Sequence, residues 1–426
     1  MPAAAAVVRT VAALFAAALV FGCQPKKPPA LVRQPVDYTQ ELPAGQVALR
    51  KIDRAQWPRF SMADNSPAEL RRAVQHSLTY LRAPSSRGFY DYLDVSHDRA
   101  VATCHAMLAL IDQVERTGVR DEAAVNRLVA EQFEVYQSVG APDPSGAGYT
   151  NEVLYTGYFT PIYSASLTRT SDYRYPLYKR PADLQIDEAT GQVFGRKTAD
   201  GSVVPHYTRS EIESATSPLG GQELVWLKDR LDAYVITVQG SARLRLADGR
   251  IYEVGYNGTN GYDYVSPGKQ MLADGVITKD QLTLRGLREH FRAHPQAADK
   301  YLALNKRYVF FTERPGGPFG SLNVPVTPWA TIATDKAVYP RGMPAFLTVP
   351  VPAGPGGGTR PYRGFMMDQD TGGAIRAAGR CDIYMGVGPG AEALAGQQHF
   401  PGQLYYLAVR PELVEQYLSA TTAAAQ

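Results

Sequence analysis

Cysteine is scarce: there are 3 in 426 residues, and none stands at the distance from another cysteine or a histidine that builds a zinc site. Cys104 and Cys381 are the two in the body of the chain, and their spacing does not establish a disulfide. Excess charge is also missing. Lys and Arg number 44 against 41 Asp and Glu, a net of +3, and the two signs interleave, which excludes the basic footprint of a nucleic-acid binder. His290 and His294 are four apart on a helix-like segment, but the Glu of a metalloprotease motif is lacking, so they read as surface histidines. No tandem repeat occurs. No metal and no cofactor is implied, and chemistry has to come from ordinary side chains.

What is present starts with a leader. Arg9 precedes an apolar run from Val11 to Phe21 that is too short to span a bilayer and reads as a secretory signal. It ends Val20-Phe21-Gly22-Cys23, similar to a bacterial lipoprotein signal in which the cysteine is acylated. Residues 1–22 are then a signal peptide, Cys23 the lipidated residue, and 23–44, opening Lys26-Lys27-Pro28-Pro29, a polar tether. Gln24 in place of Asp points to the outer membrane, on its periplasmic side. Some four hundred mature residues suggest two domains.

Helices come first and strands later. Ser66-Pro67-Ala68-Glu69 has the form of a capping box, with Leu70, Val74, Leu78 and Leu81 on one face of a helix over about 66–82. Val101 to Val114 and Asp121 to Tyr136 repeat the pattern, with Leu108, Ile111, Val125, Leu128 and Phe133 as core positions. From Asn151 the texture is β. Short strands are expected at Leu154 to Thr160, Leu177-Tyr178, Val203 to Tyr207, Ala233 to Val238, Ala242 to Leu246 and Ile251 to Tyr256. A helix over about 278–293 precedes Tyr308-Val309-Phe310-Phe311, after which strands resume to Leu407. Gly316 to Gly320 and Pro352 to Gly358 read as loops. Regular short strands argue for barrels.

Three aspartates stand at strand ends. Asp370 opens Asp370-Thr371-Gly372-Gly373-Ala374-Ile375 after apolar Phe365, Met366 and Met367, and Asp382-Ile383-Tyr384 follows. Burial in such surroundings raises a carboxyl pKa and keeps a proton available near neutrality. Asp335 ends Ala330-Thr331-Ile332-Ala333-Thr334-Asp335. Gln239-Gly240-Ser241, the amides and hydroxyls of Asn257 to Tyr262, and Gly268-Lys269 offer the directional partners a sugar needs. The same residues make ordinary turns. The 26 tyrosines suit either a glycan groove or a polar-rimmed barrel.

Together these segments resemble the membrane-bound lytic transglycosylase A family over about 151–411. The resemblance rests on Thr156-Gly157-Tyr158-Phe159-Thr160-Pro161, Tyr175-Pro176-Leu177-Tyr178, Val238-Gln239-Gly240-Ser241, Tyr308-Val309-Phe310-Phe311 and the three aspartate motifs, which look like a three-aspartate (3D) domain. It implies a mainly β fold with packing helices: a double-psi β-barrel domain (45–160 plus 308–415), an inserted second β-barrel domain (161–307) and a tail (416–426). It also implies cleavage of the MurNAc-β-1,4-GlcNAc bond of peptidoglycan with formation of 1,6-anhydro-MurNAc. Asp382 carries over as the catalytic acid and Asp370 as its support. Thr156, Gly157, Tyr158, Thr160, Gln239, Gly240, Ser241, Lys269 and Asp335 would line the glycan site, with Asp335 equally suited to bracing the barrel. Cys381 stands where the family has a large apolar residue. Expected partners are glycan strands, the outer membrane through the lipid, and cell-wall synthesis or division proteins, with the chain a monomer.

One carboxyl suffices for that chemistry, because the C6 hydroxyl of the same sugar is a tethered nucleophile. A hydrolase would need a second carboxylate to handle water. A water-using cell-wall glycosidase and a non-catalytic peptidoglycan-binding lipoprotein remain as alternatives. Asp370-Thr371-Gly372 also has the form of an aspartic-protease motif, but Asp382-Ile383-Tyr384 is no second copy to share the proton, so a protease would require a homodimer.

Overall fold

The fold comes from a computed structural model that describes residues 35–118, 122–187, 192–354 and 356–424. The expected signal peptide, Cys23 and Asp121 lie outside these residues. Among the described residues no helix is long and apolar enough to cross a membrane.

In chain order, β1 (Leu49–Lys51) leads to helices α1 (Pro67–Arg82), α2 (His97–Thr117) and α3 (Glu122–Gln132), then β2 (Phe133–Ser138) and β3 (Val153–Thr160). A middle section holds β4 (Ile162–Ser166), β5 (Tyr175–Tyr178), β6 (Leu184–Ile186), β7 (Val193–Lys197), β8 (Val203–Val204), α4 (Arg209–Ile212), β9 (Glu223–Leu227), α5 (Arg230–Gln239), β10 (Ser241–Arg245) and β11 (Ile251–Thr259). Helices α6 (Pro267–Ala273), α7 (Leu284–Ala293) and α8 (Pro295–Ala303) precede β12 (Val309–Glu313). The last section runs β13 (Thr331–Ala333), β14 (Pro344–Pro352), β15 (Thr359–Asp370), β16 (Arg380–Val387), α9 (Pro389–Ala395), β17 (His399–Val409) and α10 (Val414–Ala424).

Two barrels result. In the larger sheet the order is β1-β2-β17-β14-β15-β13-β16-β3, and β17 also pairs with β3. Six strands thus close on themselves, with β2 and β1 extending from β17. The second sheet, β12-β11-β10-β4-β9-β5, is closed by a parallel bridge between Lys179, next to β5, and Phe311 of β12. A small sheet β6-β7-β8 is appended. Strand β12 pairs with β11 and so belongs to the second barrel. The return to the first barrel therefore comes after Glu313, one strand later than the expected boundary at 307.

The N-terminal helices pack as their periodicity predicts. Ser66 Oγ accepts from Glu69 N, Pro67 occupies the first turn, and Leu70, Val74, Leu78 and Leu81 are buried. Helix α2 stops at Gly118, whose φ of 62° is the left-handed conformation that suits glycine. Two expectations need correction. The third helix ends at Gln132, and Phe133 to Tyr136 form β2 because pairing with both β1 and β17 outweighs local helix preference. Ala233 to Val238 are helical, despite their β-branched residues. Asp229 caps the amides of Leu231 and Asp232, and Gly240 ends the helix at φ 76°. The expected 278–293 helix is likewise divided into a short turn, Lys279–Gln281, and α7.

Candidate active site

Strand register assembles the site. Ala333 of β13 is paired with Asp370 of β15 on one side and Asp382 of β16 on the other. Asp382 is paired with Thr156 of β3, and Thr156 with His399 of β17. Paired residues in neighbouring strands project to the same face, so Asp370, Asp382, Thr156 and His399 form a row across the barrel wall. The two aspartates are two strand spacings apart, about 10 Å between backbones. Cys381, Ile383 and Met385 alternate with this set and lie in the core, so the row faces outward. A register shift between Ile332 and Ala333 puts Asp368 opposite Ile332 and Asp370 opposite Ala333. This bulge aims the two acids of β15 to different sides.

Asp382 has an acid's environment. Its Oδ1 is buried without a hydrogen-bond partner. Burial pushes its pKa up to about 6, opposed by Arg380 and by the Thr156 hydroxyl and assisted by the charge of Asp370. Arg380 Nη2 donates to Thr156 Oγ1 at 3.1 Å, leaving the hydroxyl proton free to turn toward Asp382.

Asp370 is held more firmly. Its Oδ1 accepts from Ser321 N and Thr371 N, each at 2.8 Å. Burial raises its pKa and those two amides pull it back. The loop carrying Ser321 comes so near that a Cβ on Gly320 would lie 2.6 Å from the Gln369 carbonyl and 3.2 Å from Asp370 Cγ, which restricts the position to glycine. The buried Tyr158 hydroxyl leans toward Asp370 without completing a hydrogen bond, and its pKa is raised by burial and then by Asp370 and Asp382. The Tyr158 ring stacks at a tilt on Tyr384, 5.0 Å between centroids, and Tyr384 Oη bonds Thr160 Oγ1 at 2.9 Å.

Thr156, Tyr158, Thr160, Asp370 and Asp382 therefore share one outward stretch of wall. Other expected site residues do different work. Gly157 faces the other way, where a Cβ would come 2.9 Å from Ala395 Cα of α9. Gln239 Oε1 accepts from Phe159 N at 3.1 Å and ties α5 to β3. Gly240 terminates α5, and Ser241, nearly buried, begins β10 opposite Gly255. Lys269 is exposed in the first turn of α6. Asp335 is buried, and its carboxylate accepts from Ala337 N at 3.0 Å and Ala377 N at 2.8 Å, stapling the turn after β13 to the loop before β16. Beyond Thr160, an open depression of about 440 Å³ on the second barrel is lined by Ile162, Arg243, Arg245, Glu253 and Glu313.

Sequence reading missed Arg380 and His399 in the row, and Asp368 and Lys336 behind it. Arg380 had a signal, since it precedes Asp382 by the two-residue period of a strand. His399 had none. Cys104 and Cys381 are both buried and free. No cluster of His, Cys, Asp and Glu able to hold a metal occurs among the described residues. A carboxyl so placed can hand a proton from Asp382 to an oxygen brought beside it and take one back.

The sequence matches two family descriptions, the MltA specific insert domain over residues 154–312 and the 3D domain over residues 330–408. It is 27% identical over 270 residues to membrane-bound lytic murein transglycosylase A of Escherichia coli strain K12, covering 62% of this chain and 68% of that one. The fold is similar to the crystal structure of a membrane-bound lytic murein transglycosylase from Agrobacterium tumefaciens, with TM-score 0.67, 23% identity and coverage of 87% of this chain and 99% of that one. It is also similar to E. coli MltA with bound chitohexaose, with TM-score 0.64, 22% identity and coverage of 89% and 97%. With insert and 3D domain following one another on a two-barrel fold, the chain belongs to the membrane-bound lytic murein transglycosylase A (MltA) family.

Proposed function

We infer that this protein is a peptidoglycan lytic transglycosylase that cleaves the MurNAc-β-1,4-GlcNAc bond and closes a 1,6-anhydro ring on the muramyl residue. The family supplies the reaction class, and the chitohexaose complex of the E. coli relative supports a β-1,4-linked glycan as the ligand of the outward face. The observation that carries the residue assignment is Asp382, which stands in the outward row with a buried, unpartnered oxygen and a pKa pushed up to about 6. At pH 7 about a tenth of such groups hold a proton, and the remainder equilibrate rapidly with solvent.

Protonated Asp382 gives its proton to the glycosidic oxygen as the bond from C1 breaks, and N-acetylglucosamine leaves with that proton. The same carboxylate then removes the proton from the C6 hydroxyl, whose oxygen bonds C1. Proton and carboxylate return to their starting state, and no water is consumed. The tether between C6 and C1 makes this attack effectively intramolecular. Asp370 supports Asp382 by a like charge that keeps its proton affinity high. Thr156, Tyr158, Thr160 and Lys269 line the glycan path, while Gly157, Gln239, Gly240, Ser241 and Asp335 hold the walls in place.

Asp370 also favours a second reading, because its pKa is raised too and it stands in the same row. A glycosidase would use it to activate water. Mass spectrometry of digested sacculi separates the two: 1,6-anhydro ends mark transglycosylation and reducing ends mark hydrolysis. Folded Asp382→Asn that still released anhydro products at the wild-type rate would remove Asp382 from the mechanism. A chain that bound glycan and cut nothing would be a wall-binding lipoprotein. The leader and Cys23 support anchoring through lipid at the periplasmic side of the outer membrane, and Cys23→Ser should move the protein from the membrane to the soluble fraction.

A further inference from the structure

Beyond Asp382 the row continues through Thr156 to His399, and this end is cationic. Arg380 leaves β16 on the same face as Asp382. It is 8% exposed, gives Nη2 to Thr156, and keeps Nε buried with no partner. Its neighbour Gly379 is covered by Tyr38, whose carbonyl would lie 2.7 Å from a Cβ there. That contact lays the Asp37–Thr39 segment along the site. Lys269 faces Asp37, but the Asp37 carboxylate is already engaged by Thr39 N at 2.9 Å and Thr39 Oγ1 at 2.7 Å. Gly268 packs on Leu282, where a Cβ would come 2.7 Å from Leu282 Cδ1, and this fixes Lys269 beside the turn that carries Lys279. His399 is exposed and lies within the field of Arg380, Lys269 and Lys279. Among the described residues none of these four forms an ion pair within 4 Å.

We propose that Arg380, Lys269, Lys279 and His399 form a carboxylate-binding subsite that takes an anionic group borne by the muramyl residue of the glycan. The proposal rests on the peptidoglycan reading above. In a β-1,4 strand of alternating sugars the N-acetylglucosamine is uncharged, and only the muramyl residue carries acid. That acid is either the lactyl carboxyl, free once a stem peptide is gone, or the carboxylates of an attached stem. An arginine fork with an unused Nε is suited to a carboxylate, and the two exposed lysines reach it from the rim. Reading this charge beside Asp382 would set which ring of the strand sits at the acid, since a register error by one sugar puts an uncharged residue against three cations, with the His399 imidazole held neutral among them by burial and by their charge.

The test compares the mature protein with its Lys269→Ala/Lys279→Ala variant on stem-bearing glycan strands, on strands stripped of stems by an amidase, and with chitohexaose as a competing uncharged ligand. The variant should lose about fivefold to tenfold of its preference for muramyl strands over chitohexaose at low salt. The difference should shrink in 0.5 M salt, roughly, where surface charges are screened. Loss confined to stripped strands assigns the lactyl carboxyl, and loss confined to stem-bearing strands assigns the stem. In the wild type, the His399 imidazole followed by NMR should rise in pKa with a muramyl ligand and not with chitohexaose. An unchanged preference, or equal weakening for all three ligands, overturns the subsite. Wild-type protein that cuts neither kind of strand overturns the peptidoglycan reading itself, and the subsite with it.

Discussion

Asp368 and Asp382 belong to the same barrel wall and are both withdrawn from water, yet the chain treats them oppositely. Asp368 lies fully buried with Lys336, and its Oδ2 accepts from Thr334 Oγ1 and Tyr406 Oη, each at 2.7 Å. Asp382 has one oxygen with no partner at all. Burial is the largest influence on both carboxyls and raises both. What separates the two acids here is compensation: Lys336, Thr334 and Tyr406 offset part of the cost of burying Asp368, whereas one oxygen of Asp382 is offset by nothing.

The contrast can be broken most forcefully at Asp382 itself. Asp382→Asn should lower release of anhydro muropeptides by about 10³-fold or more, the range of a lost general acid–base, with the circular dichroism spectrum intact. At the other acid the damage should be to folding. Lys336→Met leaves the Asp368 charge buried alone and should cost about 3–5 kcal/mol in a urea titration, much of it recovered in Lys336→Met/Asp368→Leu.

A third measurement sharpens the difference. The carboxyl of Asp382 titrates at about 6 when folded against about 3.9 unfolded. The folded state therefore holds the proton more tightly. The resulting penalty is absent below the unfolded value, grows as pH rises toward 6 and is complete above it. Asp382→Asn should accordingly be more stable than wild type by about 1–3 kcal/mol at pH 8 and no more stable at pH 4. The smallest effect concerns Asp370. Wild-type kcat/KM should fall as pH rises through about 6, and Asp370→Asn should move that limb to lower pH by less than about one unit, because a like charge has gone.

The three aspartate motifs were legible because each joins an apolar strand to a small-residue turn within a few positions. The helices α1 and α2 were legible through capping and periodicity. The row was not, because it depends on register across five strands. His399 meets Thr156 only when β17 and β3 close the barrel, and nothing local to Gln398-His399-Phe400 marks that. The paired fate of Asp368 was hidden by a single bulged residue that turns it away from Asp370. Tyr234 to Val238 misled for a different reason. Their branched side chains favour a strand, but a helix buried among barrel strands draws its stability from packing and its two caps.

Arg380 and Thr156 touch although 224 residues separate them along the chain. Contacts of such separation are slow to form and arise late, since the loop between them must first be ordered. A wall-cutting enzyme built this way has no assembled row until β16 has joined β3. A chain that ends before β16 carries Thr156 without Asp382 and is harmless to the cell that produced it.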